Sequence, residues 1–130
     1  AYVLIIDDDQ TMRSVIADKL SQAGIGDKEA TDGLEGLAQA QQEHPAVIIL
    51  DENMPNMDGQ QFIEELQKEE WFKDVHVIVF TSSTDIALLN RKMMAGVSEY
   101  LNKGTTPPET IVQLVQKHLQ PGTAADNPAS

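Results

Sequence analysis

The amino-acid sequence predicts an α/β fold: a doubly wound parallel sheet of five strands, with helices on both faces in three layers. The first observation is a set of near-continuous apolar runs rich in β-branched residues, at Tyr2–Ile6, Ala46–Leu50 and Val75–Phe80. Such runs are typical of strands covered on both faces. The second is that segments of helical periodicity separate the strands, and this alternation indicates right-handed crossovers between parallel strands.

Two further strands complete the predicted sheet. Val97–Leu101 has the residue content of a strand, and Asp27–Ala30 is a weaker candidate between the first two helical segments. Because Asp27–Ala30 is mostly polar, it is poorly suited to burial on both faces, and we expect it at an edge of the sheet. The predicted order of elements is therefore βαβαβαβαβα.

Five helices are predicted from apolar periodicity and from residues typical of helix ends. The end signals are Gly24 after the first helix, Asp32 with Glu35 before the second, Asp58 with Gln61 before the third, Gly96 after a fourth at Thr84–Met94, and Thr106, Pro107 and Glu109 at the start of the fifth. The positions expected to face inward are Met12, Val15, Ile16, Leu20 and Ala23 in the first helix, Leu34, Leu37 and Ala38 in the second, Phe62, Ile63 and Leu66 in the third, and Ile111, Leu114, Val115 and Leu119 in the fifth.

Composition excludes several classes of function. The net charge of −12 makes nucleic acid and anionic membrane surfaces unfavourable partners. The absence of cysteine excludes disulfides, a thiol nucleophile and a cysteine-based metal site. No apolar run approaches the roughly 20 residues of a membrane helix, and the N-terminus has no signal-peptide pattern, so we expect a cytoplasmic protein. Residues 1–120 are interpreted as one domain, and residues 121–130 as a disordered tail or the start of a linker.

Polar residues follow four of the predicted strands. The carboxyl ends of parallel strands meet at one edge of a sheet, where ligands bind at the switch in strand order. We therefore expect residues that are far apart in the sequence to become neighbours there. The residues concerned are Asp7, Asp8 and Asp9 after the first strand, Asp51, Glu52 and Asn53 after the third, Thr81, Ser82 and Ser83 after the fourth, and Asn102, Lys103 and Gly104 after the fifth.

This combination of side chains predicts phosphoryl chemistry. Two like charges 4 Å apart repel by about 4 kcal/mol at an effective dielectric constant of 20, and one lysine cannot neutralise several acids. A cluster of oxygen ligands favours a hard cation such as Mg²⁺. A carboxylate nucleophile beside a cation, a hydroxyl and a lysine can accept a phosphoryl group. Each residue alone has an ordinary explanation, such as a helix cap for Asp9 or a surface charge for Lys103, but their convergence favours a site.

The motifs at these strand ends resemble those of receiver domains in two-component response regulators, of the chemotaxis-response-regulator-like superfamily. The similarity rests on IIDDDQTMR, ILDENMPNMDG, VFTSS and EYLNKG, and it covers about residues 1–120. It implies a flavodoxin-like (βα)5 fold and a signalling domain, not an enzyme, that takes a phosphoryl group from a sensor histidine kinase or a phosphotransfer protein. It also implies that the domain promotes its own phosphotransfer and dephosphorylation. The implied output is a downstream effector protein or domain, with a homodimer as a further candidate.

The resemblance implies a role for each matching residue. Mg²⁺ would be held by Asp7, Asp8, Asp51 and the backbone carbonyl of Asn53; Asp51 would be the phosphoacceptor; Thr81 and Lys103 would bind the phosphoryl group; Thr81 and Tyr100 would form the switch. The surface of the fourth helix, fifth strand and fifth helix would contact the partner. One departure is Gly104, which stands where the family usually has proline after the lysine, so we expect a looser loop before the fifth helix.

Two alternatives stay open at this point. Asp7-Asp8-Asp9-Gln10-Thr11 also fits the DxDxT motif of haloacid-dehalogenase-like phosphohydrolases, in which Asp7 would be the nucleophile and Asp9 the acid/base. That reading lacks a late acidic pair after the fourth strand and leaves MPNMDG unexplained. The other alternative is a receiver-like interaction module that is not phosphorylated; the complete set of acids, threonine and lysine argues against it.

Overall fold

A computed structural model describes residues 2–52, 54–82 and 96–119 and confirms the predicted fold class. Its five-stranded sheet has the order β2-β1-β3-β4-β5, and every neighbouring pair is parallel. The polar strand β2 lies at an edge, as predicted. The strands are β1 (Val3–Ile6), β2 (Asp27–Ala30), β3 (Val47–Leu50), β4 (His76–Thr81) and β5 (Val97–Asn102).

The strand register aligns the carboxyl ends of the central strands. Ile6 of β1 pairs with Leu50 of β3, so Asp7 and Asp51 leave neighbouring strands at the same level. The Asp51 N–H donates to the Ile6 carbonyl at 3.0 Å, which fixes that alignment. Thr81 pairs with Asn102 at the end of β5. The switch in strand order falls between β1 and β3, so the polar residues that follow these strands share one crevice.

Four helices and one short 3-10 helix are described. The helices are α1 (Gln10–Gln22), α2 (Gly33–Gln42), α3 (Gly59–Leu66) and α4 (Pro108–Leu119), with the 3-10 helix at Glu70–Asp74. The α4 helix is the fifth predicted helix and begins one residue later than the predicted first position, Pro107. The predicted fourth helix, Thr84–Met94, and the predicted tail, 121–130, lie outside the described residues. None of the described helices is long and apolar enough to cross a membrane.

Alternating residues of the strands pack into two separate hydrophobic cores, one on each face of the sheet, so the fold has three layers. Leu4, Ile6 and Val79 belong to the cluster that includes residues of α2 and α3. Val3 and Ile5 belong to the opposite cluster, which includes residues of α1 and α4. Successive side chains of a strand point to opposite faces, so each continuous apolar run supplies both layers. Truncating one of these buried aliphatic side chains to alanine typically costs about 2–5 kcal/mol.

The predicted inward face of α2 was wrong for Leu34 and Ala38, whereas Leu37 packs against the core. Leu34 is 51% exposed and Ala38 is exposed, while Leu37 is only partly buried. The buried positions include Gly33 and Gly36. A Cβ atom at Gly36 would lie 2.5 Å from the Cδ1 of Ile6, so the helix approaches the sheet at Gly36 and leaves Leu34 outside.

The helix ends largely follow their predicted signals. Asp58 and Gln61 form a complete capping box at α3. Asp32 accepts a hydrogen bond from the Glu35 N–H, but the Glu35 carboxylate bonds to the N–H of Thr31, one residue before the predicted position. Gly24 follows α1 with a φ of 77°, as the stop signal requires. Ala23, predicted to face inward, is exposed at this end of α1.

Candidate functional site

Three acids converge at the switch in strand order. One oxygen from each of Asp7, Asp8 and Asp51 lies within 4.8 Å of the others. Asp7 and Asp51 are 4% and 6% exposed, whereas Asp8 is exposed. Carboxylates this close repel one another, and burial of two of them strengthens the repulsion because water screens it less. The cluster therefore favours a positive charge between the acids.

Lys103 supplies one such charge. Its Nζ lies 2.6 Å from the Asp7 Oδ2 and 3.4 Å from the Asp51 Oδ2, and its side chain is 13% exposed. Burial alone would lower the pKa of Lys103, but the hydrogen bonds and negative charges of Asp7 and Asp51 outweigh that effect and raise the pKa above its usual value. Lys103 therefore joins the acids that follow β1 and β3.

Thr81 ends β4 beside this cluster. The residue is fully buried, and its carbonyl accepts a hydrogen bond of 2.8 Å from the Lys103 N–H. The backbone of Thr81 therefore fixes the start of the loop that carries the lysine. A hydroxyl at this strand end lies at the same edge of the sheet as the three acids.

Tyr100 lies on β5, on the face of the sheet that it shares with Thr81. It pairs with Val79, which is two residues before Thr81 and therefore points to the same side. The ring packs against the core of that face, and burial raises the pKa of the Tyr100 hydroxyl. That hydroxyl is buried, and within residues 2–52, 54–82 and 96–119 it has no hydrogen-bond partner.

The loop after β3 is ordered by contacts that the sequence analysis missed. Asn56 has a φ of 68°, and its side-chain amide donates to Asp32 at 2.6 Å. Asparagine tolerates this left-handed conformation better than most residues, which was the available signal. The Gly59 N–H donates to the Glu52 carbonyl at 2.9 Å, and closes the loop against α3. Asn53, predicted as a metal ligand through its carbonyl, lies outside the described residues.

The loop that contains Gly104 is held by Asn102. The side-chain oxygen of Asn102 accepts a hydrogen bond of 2.8 Å from the Gly104 N–H. Its carbonyl accepts hydrogen bonds from the N–H groups of Thr105 and Thr106, at 3.3 and 3.0 Å. Asn102 therefore orders the loop that contains Gly104, the position at which the family usually has proline.

Asp9 caps a helix. Its Oδ1 accepts hydrogen bonds from the N–H groups of Thr11 and Met12, at 3.0 and 3.3 Å, at the start of α1. Its own N–H donates to the Asp7 Oδ1 at 2.9 Å. Asp9 is therefore the N-cap of α1. This role agrees with the helix cap expected for Asp9 and not with the acid/base of the phosphohydrolase motif.

Arg13 is a residue near the site that the sequence analysis did not select. Its Nη1 donates to the Asp7 carbonyl at 2.6 Å, and its Nε pairs with the Glu29 Oε1 at 3.1 Å. Its side chain is 10% exposed. The sequence offered one indication of this contact, because Arg13 belongs to the IIDDDQTMR motif. A residue one turn into α1 can face back toward the end of β1.

The donor set fits a hard divalent cation. The three clustered carboxylates offer oxygen ligands, and the one positive charge of Lys103, which contacts two of them, does not balance three negative charges. Mg²⁺ prefers oxygen ligands, commonly takes one or two carboxylates and retains several waters. Because Asp8 is exposed, the cluster is open to solvent on one side and can accept a hydrated ion.

Comparison with known proteins identifies the class. The family described as the response regulator receiver domain matches residues 3–116. The chemotaxis protein CheY1 of Helicobacter pylori is 33% identical over 107 residues, which are 81% of this chain and 86% of that protein. A solved structure of the chemotaxis response regulator CheY4 of Vibrio cholerae is 32% identical, with a TM-score of 0.82, and the alignment covers 92% of this chain and 98% of that chain. The chain belongs to the response regulator receiver domain family.

Other relatives are longer. The probable transcriptional regulator ycf27 of Porphyridium aerugineum is 34% identical over 107 residues, which are 82% of this chain but 43% of that protein. The chain thus spans less than half the length of this curated relative. These matches support the phosphoacceptor function of a two-component receiver domain and do not favour the phosphohydrolase or the unphosphorylated interaction module.

Proposed function

We propose that this domain accepts a phosphoryl group on Asp51 from a phosphohistidine of a sensor histidine kinase or a phosphotransfer protein. The observation that carries the proposal is the convergence of Asp7, Asp8 and Lys103 on Asp51 at the carboxyl edge of the sheet. Asp51 is held by the β1–β3 register, so its carboxylate is presented to the crevice from a rigid strand end.

The chemical step requires little movement of the protein. A carboxylate oxygen of Asp51 attacks the phosphorus of the phosphoimidazole, a new O–P bond forms, and the P–N bond breaks with its electron pair remaining on the imidazole nitrogen. The product is an acyl phosphate. Lys103, already beside the Asp51 Oδ2 at 3.4 Å, is placed to pair with a phosphoryl oxygen.

Mg²⁺ would be held by Asp7, Asp8 and Asp51 with the carbonyl of Asn53, and when bound it would offset the negative charge of the phosphoryl group. Asp7 is restrained by Lys103 and by the Asp9 N–H, so its carboxylate is oriented in advance. Hydrolysis of the acyl phosphate, by attack of water on phosphorus, would return Asp51 to its free form. The domain would thus promote its own phosphorylation and dephosphorylation without acting on a separate substrate.

Phosphorylation would change the partner surface through Thr81 and Tyr100. A phosphoryl oxygen offers the Thr81 hydroxyl a strong acceptor. Tyr100 shares a face with Thr81 and has a hydroxyl without a partner in the described residues, so a rearranged ring could satisfy that group. The phosphoryl group would switch the domain by favouring one of two arrangements of these residues.

The partners proposed are a sensor kinase or phosphotransfer protein upstream and an effector protein or domain downstream, with a second copy of this domain as the competing occupant of the output surface. Relatives named as a sensor histidine kinase and as transcriptional regulators carry this kind of domain, so the output differs among them. Direct binding of nucleic acid or membrane is not part of the proposal because the net charge of −12 opposes both. Kinases of this class draw phosphate from ATP, so we place the phosphoprotein in the cytoplasm.

Intact-mass spectrometry after incubation with Mg²⁺ and acetyl phosphate tests the proposal. The wild type is compared with Asp51→Asn and Asp7→Asn, and with Asp9→Asn as a matched control outside the proposed ligand set. We expect one added phosphate on the wild type and on Asp9→Asn, and none on Asp51→Asn. A phosphoenzyme that depends on Asp7 as the carrier would indicate the phosphohydrolase, and the absence of any adduct would indicate the interaction module.

A further inference from the structure

Arg13 of α1 is a buried charged group that the proposed phosphoryl transfer does not use. Its guanidinium makes two contacts: Nη1 with the backbone carbonyl of Asp7, and Nε with the carboxylate of Glu29 on the edge strand β2. The Glu29 side chain is 42% exposed, so this ion pair runs from the rim of the sheet to the base of the acid cluster. A buried guanidinium needs such partners because it cannot lose its charge.

The contact with Asp7 completes the restraint of that residue. The Asp7 N–H donates to the Ala30 carbonyl at 3.1 Å, its Oδ1 accepts from the Asp9 N–H, and its Oδ2 lies beside Lys103. The Asp7 carbonyl, at the point where β1 ends, accepts from Arg13. Backbone and side chain of Asp7 are therefore fixed in one orientation.

Asp8 depends on this restraint more than Asp7 does. Within the described parts of the chain, no hydrogen bond or ion pair holds the Asp8 carboxylate, which is exposed. The Asp7 carbonyl belongs to the planar peptide that joins Asp7 to Asp8, so the hydrogen bond from Arg13 anchors the backbone directly before the Asp8 Cα, from which the carboxylate extends. Without this anchor the Asp8 Cα would be free to shift, and the Asp8 oxygen would no longer be held within 4.8 Å of the oxygens of Asp7 and Asp51.

We propose that Arg13, held in place by Glu29, is a positioning residue that fixes the Asp7–Asp8 peptide and so directs the Asp8 carboxylate toward Asp51. This inference rests on the proposed function for its purpose, because the cluster matters as a cation site. Arg13 contacts neither the cation nor the phosphoryl group in this role; it acts through the backbone. Groups that orient a metal ligand typically contribute about 10- to 100-fold to metal affinity.

A titration of the metal-free protein with Mg²⁺, followed by NMR of the backbone amides, measures the role without a phosphoryl donor. Arg13→Met keeps the length of the side chain and removes the donors, and we expect the Mg²⁺ dissociation constant to rise by about 10- to 100-fold. Arg13→Lys restores a donor for the Asp7 carbonyl and should recover part of the affinity. Lys19→Met, on the same helix but paired with Glu109, is the matched control and should bind Mg²⁺ as the wild type does.

Two further readouts separate positioning from general damage. Amide hydrogen exchange at Asp9, whose N–H donates to the Asp7 Oδ1, should accelerate in metal-free Arg13→Met but not in Lys19→Met. The rate of phosphorylation by acetyl phosphate should recover in Arg13→Met at saturating Mg²⁺, because the acceptor Asp51 is unchanged. If Arg13→Met does not fold, Glu29→Ala, which alters the exposed end of the pair, should shift Mg²⁺ affinity in the same direction by a smaller factor.

Unchanged Mg²⁺ affinity in folded Arg13→Met, or in Glu29→Ala where the former does not fold, would overturn the positioning role. Equal weakening in Lys19→Met would do the same, because the effect would then not be specific to the Asp7 carbonyl. The proposed function fails separately: a wild type that binds Mg²⁺ with the expected dependence on Arg13 but takes no phosphate on Asp51 would retain the positioning role and lose the phosphoacceptor role.

Discussion

The two edges of the sheet hold different kinds of polar groups. At the carboxyl edge, Asp7, Asp8 and Asp51 crowd around Lys103 and leave an excess of negative charge. At the amino edge, the ring of His76 stacks on His118 with centroids 4.1 Å apart. Histidine can be buried without a charge, whereas crowded carboxylates next to one lysine cannot all be balanced. Electrostatic repulsion is therefore concentrated at the carboxyl edge, where a bound cation can relieve it.

A second stack reinforces this contrast. His44, in the loop before β3, stacks on Trp71 of the 3-10 helix before β4, with centroids 3.9 Å apart. Stacked rings stabilise loops by contact area and need no cation. The amino edge is therefore interpreted as structural and the carboxyl edge as functional, which the following substitutions test.

Asp51→Asn should have the largest effect. The amide cannot form the acyl phosphate, so phosphorylation measured by intact mass should be lost completely while the circular dichroism spectrum keeps its α/β form. Removing one of the crowded charges also relieves repulsion, so the thermal midpoint without Mg²⁺ should not fall below that of the wild type. Full uptake of phosphate by this variant would contradict the role of Asp51.

Asp8→Ala should weaken Mg²⁺ binding by at least about tenfold, because it deletes one of the three carboxylates that we propose as ligands. Asp8 is exposed, so its removal should change the free energy of unfolding in metal-free buffer only slightly. An Mg²⁺ titration and a urea melt on the same sample measure both quantities. Asp9→Ala is a useful comparison, since loss of this helix cap should cost about 1 kcal/mol of stability and leave most of the Mg²⁺ affinity. If Asp9→Ala weakened Mg²⁺ binding and Asp8→Ala lowered the stability instead, the roles of the two acids would be exchanged.

Lys103→Met should reduce stability by about 1–3 kcal/mol in metal-free buffer, because it removes a positive charge that contacts the buried carboxylates of Asp7 and Asp51. Signalling should be impaired more than folding, and Mg²⁺ should restore part of the lost stability. The raised pKa of Lys103 means that its contribution is fully present below the unfolded value of 10.5 and is lost as pH rises through the folded value. Urea melts between pH 8 and 11 should show the wild type converging on the variant; parallel curves would argue against the ion pairs.

His118→Phe should have the smallest effect, visible mainly as a change in pH dependence. Burial lowers the pKa of His118 below 6.5, and His76 and Lys117 add to this while Glu99 opposes it. The unfolded chain therefore binds a proton more readily than the folded one, so wild-type stability should fall as pH drops below about 6.5 toward the folded pKa. Phenylalanine keeps a ring for stacking but cannot titrate, so its curve should be flatter. An unchanged pH profile would contradict the lowered pKa of His118.

Local pattern was enough to predict the strands and most helix ends. The apolar runs of β1, β3 and β4 reflect burial on both faces, and the capping residues Asp32 and Asp58 satisfy backbone N–H groups of their own helices. Such features depend on neighbours within a few residues. The gathering of Asp7, Asp51 and Lys103 was also predictable, because a parallel sheet places all strand ends at one edge.

Other features depended on contacts between distant segments. The outward position of Leu34 follows from the close approach of Gly36 to Ile6, which no helical periodicity reveals. The support of Asp7 by Arg13 and Glu29 joins three separate elements, and the order that Asn102 imposes on the Gly104 loop arises from hydrogen bonds that composition does not show. Residue type and spacing in the sequence determined which side chains lie at the carboxyl edge of the sheet. Only the tertiary structure decided which of these side chains contact one another, because hydrogen bonds and close packing depend on ångström distances between segments that are far apart in the sequence.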